Sequence, residues 1–272
     1  MDEYARGRTP SPCVLCNQAI KFGSLHRRAV HLGCEKIATG HYVRLEERDG
    51  AWRLLRPSDR NKDQSYFLHR LSQEQLGRCL FPLESWTKPE VAAYAEKHGL
   101  PVSVSSKEES QDLCFVSNDG HAVYVEERRP ELKQAGEIVN TEGEVLGAHA
   151  GFHHYTIGQR RGLGVAAPMR LYVKSIDAET NRVVLGSRDD VMATHCVAEN
   201  VHWLAGPPEE ETFTAACRIR YRHEAARVRA RQLDGKTVRL DFDEPQFAIT
   251  PGQAAVMYAG DEVLGGGWIS SR

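Results

Sequence analysis

The pattern of apolar and polar positions changes near residue 120. Before that point the periods are mixed. Ile20, Phe22, Leu25, Ala29 and Leu32 form an apolar stripe that predicts a helix over 18–33, with Gly33 as its stop. Residues 36–45 predict a strand running into Asp49-Gly50, a strong hairpin turn, with Trp52-Arg53-Leu54-Leu55 as the return strand. Thr87 and Glu90 make a capping box ahead of a helix whose body is Val91 to His98 and whose exit is Gly99-Leu100-Pro101. To about residue 117 the texture is α/β.

Past Gly120 the segments shorten and alternate, and glycines recur at 136, 143, 147, 151, 158, 162 and 164. Residues 171–186 predict a hairpin around Glu179-Thr180-Asn181. From about 195 onward the pattern is all β, punctuated by Asp234-Gly235 and Pro251-Gly252, which points to a small barrel or sandwich. The expected division is 1–117, 118–192 and 193–272.

A chain of 272 residues is long enough to bury a sizeable core, and 35 basic against 37 acidic side chains leave it nearly neutral. No stretch approaches the ~20 apolar residues of a membrane span, and the N-terminal sequence has no signal-peptide core. Seven cysteines, an odd number without regular spacing, favour reduced thiols and a cytoplasmic location. Nothing in the pattern demands a large obligate interface, so a monomer is expected. Gly7-Arg8-Thr9-Pro10 leads directly into a cysteine motif, without the preceding scaffold that normally carries a reactive loop.

That motif is Pro12-Cys13-Val14-Leu15-Cys16-Asn17; a second cysteine site is Ser110-Gln111-Asp112-Leu113-Cys114-Phe115. Polar neighbours at each favour a lowered thiol pKa. A lone C-x-x-C suits a redox pair, half a zinc site or cluster ligands, and no second pair follows at zinc-finger spacing. Cys114 reads on its own as the start of a short buried strand. If the fold joins the two sites, they make either a sulfur-transfer pair or a three-thiolate metal site. Cys34, Cys79, Cys196 and Cys217 read as core packing. Gly40 and His41 follow a strand, where α/β sheets bind ligands. Lys62-Asp63-Gln64 read alone as a solvated loop with an N-cap. Arg218, Arg220 and Arg222, then Arg227, Arg229 and Arg231, alternate along two expected strands and make basic faces suited to phosphate. Tyr221 and His223 would add stacking on unpaired RNA bases.

Taken in order, TPSPCVLCNQAIKFG, ATGHYVR, KDQSYFLHRLSQEQL, SQDLCFV, GEIVNTEGEVLGAHAGFHHYTIGQRRGLG, CRIRYRH and FAITPGQAAVMY closely resemble the tRNA-specific 2-thiouridylases, over nearly the whole chain. The resemblance implies a partial Rossmann-like α/β domain of the adenine-nucleotide-hydrolase type, a small β-rich central domain that binds tRNA, and a C-terminal β-barrel. It implies ATP-dependent transfer of sulfur to C2 of a wobble uridine, through an adenylated uridine and a cysteine persulfide. In it Cys16 matches the nucleophile, and Cys114 the cysteine that carries the persulfide and can pair with Cys16 in a disulfide. Ser11, Pro12 and Cys13 match the segment touching the target base, and Gly40 an ATP-contacting position. His41, Lys62, Asp63, Gln64, Arg220, Tyr221 and Gln253 match positions that hold tRNA. The implied sulfur source is a persulfide-donating relay protein or a cysteine desulfurase.

Two departures stand out. The family's Ser-Gly-Gly-x-Asp-Ser loop, which cradles phosphate, is absent from this sequence, so the chain reads as an N-terminally truncated member. Cys13 stands where some members carry aspartate, and with Cys16 and Cys114 it would supply three thiolates for an iron–sulfur cluster. The competing functional classes are a tRNA-binding fragment without catalysis and a thiol or metal module with no RNA partner.

Overall fold

The computed structural model describes residues 1–100, 114, 116 and 120–271. Its C-terminal part is a closed barrel of six strands, in the order Ala254–Ala259, Thr212–Arg218, Ala226–Gln232, Val238–Phe247, Met192–Trp203 and Glu262–Ser271. The last strand pairs back on the first. Alternation decides which side chains enter: along Ala226–Gln232, Val228 and Ala230 are buried while Arg227, Arg229 and Arg231 face outward. Cys196, Cys217, Ile219, Leu240, Ile249 and Met257 fill the interior.

The predicted hairpin is present as Arg44–Arg48 and Ala51–Leu55, and it extends the barrel wall where Leu55 pairs with Glu262. Asp49 and Gly50 both adopt positive φ, 53° and 71°, which matches the turn to the strand twist. The expected strand over 36–45 is broken. Ile37–Ala38 pairs in parallel with Cys79–Leu80, and the chain leaves that pair before the hairpin begins.

The central part is a four-stranded sheet in the order Val145–His149, Gly136–Val139, Arg182–Gly186, Tyr172–Asp177. Ile138, Val173, Val183 and Leu185 form its core, closed by Val125 of the helix Gly120–Arg128. The third buried cluster joins Val14, Phe22, Tyr66, Leu68 and Leu76 to Val256, Tyr258 and Val263, so the N-terminal region packs directly on the barrel wall.

The first helix departs most from its pattern. It runs from Pro12–Cys16 through a wide π-helical stretch, Asn17–Ser24, into Leu25–His31. The wider turn stretches the inward period towards four residues, so Val14, Phe22 and His26 face the core. Ile20, Leu25 and Leu32, expected as the apolar stripe, are 59%, 55% and 65% exposed. The helix Lys88–Lys97 carries the expected box: Glu90 N–H donates to Thr87 Oγ1, and Thr87 N–H donates to Glu90 Oε2 at 2.6 Å.

Candidate active site

The cysteine helix is aimed by the barrel. Gln253 Nε2 donates to the carbonyls of Thr9 and Pro10 at 3.0 and 3.1 Å, and Thr9 N–H donates to the Pro251 carbonyl at 3.0 Å. Gly252 makes this grip close. Its φ is +92°, and a Cβ there would lie 2.8 Å from the Thr9 carbonyl oxygen. Buried Ser11 then takes the N-cap position, and Pro12 opens the helix where its missing N–H costs nothing. Cys13 and Cys16, three apart, follow on one face and are both partly exposed.

Burial pushes the Cys13 thiol up, and Cys114 and Cys16 push it further, while Lys21 opposes them. This corrects the expectation of a lowered pKa at Cys13: burial and neighbouring thiols outweigh the polar groups. It also places Cys114 within electrostatic reach of the helix. Cys114 itself lies exposed in a turn, not at the start of a buried strand. Ser110, Gln111, Asp112, Leu113 and Phe115 of its motif lie outside the described residues. Each of the seven cysteines is a free thiol. Cys79, Cys196 and Cys217 are buried as expected, whereas Cys34 is exposed beyond the first helix. Among the described residues, the one group of three potential ligand atoms within 4.8 Å of one another is Glu126, His153 and His154, so the three thiols are not drawn together as a single ion requires.

Gly40 is exposed, and among the described residues a Cβ there would meet only Leu83 Cδ1 at 3.7 Å, so these residues leave its outer face open. His41 is buried against Phe22 and Phe81, with Nδ1 2.8 Å from Thr39 Oγ1. Burial, then Lys21, lowers its pKa to about 4, so the ring is neutral. Gln64 clamps the next residue: Tyr42 N–H donates to Gln64 Oε1 at 3.0 Å, and Gln64 N–H donates to the Tyr42 carbonyl at 3.1 Å.

Asp63 is not a solvated loop residue. Its side chain is 1% exposed and accepts from Arg56 Nε at 2.7 Å, Arg218 Nη1 at 2.9 Å, and both Ser65 N–H and Oγ. Arg218 is likewise buried at the end of its strand, donating also to the carbonyls of His223 and Tyr221. The strand stops there, so Arg220 and Arg222 lie in the following turn and not on one strand face. Around this pair opens a cleft of about 700 Å³, where Arg60, Lys62, Arg222 and Tyr221 gather. Five cationic side chains line it against two acidic ones. The Tyr221 ring packs 4.3 Å from that of Phe67. Sequence reasoning missed Arg56 and Arg60 as part of the cleft. The signal was thin: one arginine near a proline and another before an asparagine.

Three domain models match in chain order: the tRNA methyl transferase HUP domain over 1–118, the tRNA methyl transferase PRC-barrel domain over 123–187, and the aminomethyltransferase β-barrel domain over 193–269. The chain is 49% identical to the tRNA-specific 2-thiouridylase MnmA of Geobacter metallireducens, over 100% of this chain and 73% of that protein. It is 49% identical to the MnmA of Trichormus variabilis over 98% of this chain and 76% of that one. The chain belongs to the tRNA-specific 2-thiouridylase family. As a 2-thiouridylase family member it joins a Rossmann-like α/β domain, a PRC-barrel domain and a C-terminal β-barrel. Among the described residues no helix is long and apolar enough to cross a membrane.

Proposed function

We propose that this chain is a transferase that thiolates tRNA, placing sulfur on C2 of the wobble uridine. The observation that carries the reading is the cysteine helix, gripped at its entry by the barrel and within electrostatic reach of Cys114. ATP would supply the adenylyl group that makes the uridine C2 oxygen a leaving group, and Gly40, with its open outer face, is the residue placed to approach it. Cys114, exposed, accepts persulfide sulfur from a relay protein or a cysteine desulfurase. Its terminal sulfur attacks C2, forming the C–S bond as the activated oxygen leaves. Cys16 thiolate then attacks the Cys114 sulfur, forming a Cys16–Cys114 disulfide and releasing the 2-thiouridine. Ser11, Pro12 and Cys13 border the base.

Lys62 and Tyr221, with Arg220 beside them, hold tRNA at the basic cleft. His41, Gln64 and Gln253 act by fixing the backbone that carries these groups. Asp63 also acts indirectly, by orienting Arg56 and Arg218. The working division is 1–117 for catalysis, 118–192 for tRNA docking and 193–272 for the barrel, in a cytoplasmic monomer. Lys62→Ala and Arg222→Ala should each weaken tRNA binding and lower the steepness of its salt dependence by about one unit. Salt-independent binding, or binding indifferent to both changes, would move the tRNA site elsewhere.

A second reading has one observation in its favour. Cys13 senses both Cys16 and Cys114, the three thiolates an iron–sulfur cluster would use. Iron and a visible charge-transfer band in anaerobically prepared protein would establish it, and protein free of both would exclude it.

A further inference from the structure

A second cluster with ligand chemistry lies away from the cysteines, in the central domain. Glu126 sits on the helix Gly120–Arg128, and His153 and His154 on the short turn Phe152–His154 beside it. Glu126 Oε1 lies 3.3 Å from His153 Nε2 and 2.8 Å from His154 Nε2. A tetrahedral zinc ion, with bonds of about 2.0–2.1 Å, holds its ligand atoms about 3.3 Å apart. Both separations from Glu126 Oε1 are therefore near what such an ion imposes, and all three ligand atoms lie within 4.8 Å of one another.

Lys133 Nζ occupies Glu126 Oε2 at 2.9 Å, which leaves Oε1 turned to the histidines. The bonds from Lys133 and His154 hold the Glu126 carboxyl down to about 2, so it is charged. His153 Nε2 faces a carboxylate oxygen and so carries the ring proton here, and a metal ion would displace that proton on binding. The His153 side chain is fully buried, Glu126 is 15% exposed and His154 37%, so the cluster opens to solvent on one side. Gly151 makes the arrangement sterically possible: a Cβ there would lie 2.4 Å from His153 Cε1.

We propose that Glu126 Oε1, His153 Nε2 and His154 Nε2 form a binding site for a divalent transition-metal ion of the zinc class, with a fourth position open to solvent beside His154. The ion would staple the helix Gly120–Arg128 to the turn at the edge of the central sheet. That helix begins six residues after Cys114, so the staple would anchor the far end of the segment that carries this thiol. The site is independent of the sulfur chemistry proposed above.

The test is titration of chelator-treated full-length protein with Zn²⁺, and with Co²⁺ as a spectroscopic probe. One equivalent should bind, with cobalt d–d bands and no thiolate-to-cobalt charge transfer. The Cys13→Ser/Cys16→Ser/Cys114→Ser variant should retain that equivalent. His154→Ala, at a partly exposed position that should fold normally, should lose on the order of a hundredfold in affinity, and Glu126→Gln a comparable amount. Affinity should fall as pH drops through the histidine range, because protons compete for the same lone pairs. Thiolate charge transfer, loss of binding in the cysteine variant, binding unchanged by His154→Ala, or no stoichiometric binding would each overturn the assignment.

Discussion

At the scale of single residues, Asp63 shows what a sequence hides. Its buried carboxylate accepts from two arginines and a serine, and one of the arginines is 155 residues away. Nothing local in Lys62-Asp63-Gln64 announces that, so the segment reads as a solvated loop. The Cys13–Cys16 pair, by contrast, is legible because both thiols lie within one helical turn. Asp63→Ala leaves Arg218 buried without its counter-charge and should cost about 3–5 kcal/mol, measured by denaturant unfolding. A loss below about 1 kcal/mol would show that water reaches the pair. Two histidines give a pH signature. Burial lowers His41 to about 4 and His69 to about 3, from 6.5. For each, the folded value lies below the unfolded one, so the unfolded chain takes up protons first as pH falls. Their contribution is complete above about pH 6.5 and is lost progressively as pH falls, down to about pH 4 for His41 and about pH 3 for His69. Thermal unfolding followed from pH 7 to pH 5 should show a falling midpoint, with a shallower slope in His69→Gln.

Among the elements, those whose signals are local came through. The Asp49-Gly50 hairpin, the Thr87–Glu90 capping box and the hairpin of Tyr172–Asp177 and Arg182–Gly186 each depend on a few adjacent residues. The first helix did not, because its π-helical stretch changes the period on which an apolar stripe is counted. The broken strand over 36–45 is a similar case, since only its first residues find a parallel partner, in Cys79–Leu80. The turn of Pro251, Gly252 and Gln253 aims the cysteine helix. Gly252→Ala forces a non-glycine residue to a φ of +92° and into the Thr9 carbonyl, at about 1–2 kcal/mol for the conformation alone. Gln253→Ala removes two hydrogen bonds to the same segment and should lower thiolation roughly tenfold through kcat, with a smaller effect on unfolding. Parallel measurement of both quantities checks this, and equal losses in the two would mean that Gln253 serves stability alone.

In the whole molecule, three buried clusters divide the work: one inside the barrel, one in the central sheet, and one where the N-terminal region packs on the barrel wall. The β character of the second half was legible from short alternating runs, but the packing of the hairpin and first helix on the barrel was not, because it joins residues some 200 apart in the chain. Ile20, Leu25, Leu32 and Leu80 are each exposed. Such apolar surface favours association. Leu25→Glu/Leu32→Glu should leave the unfolding midpoint within about 1 °C and reduce aggregation on light scattering, whereas a large drop in the midpoint would mean that these side chains are packed in solution. Sulfur transfer to tRNA engages all three parts of the proposed machinery. It is tested most directly by incubating the protein with ATP, unmodified tRNA and a persulfide source, then analysing the digested nucleosides by mass spectrometry. 2-Thiouridine should form, and it should vanish with Cys16→Ser and with Cys114→Ser. No 2-thiouridine from protein that binds the tRNA, or product that persists in both variants, would contradict this.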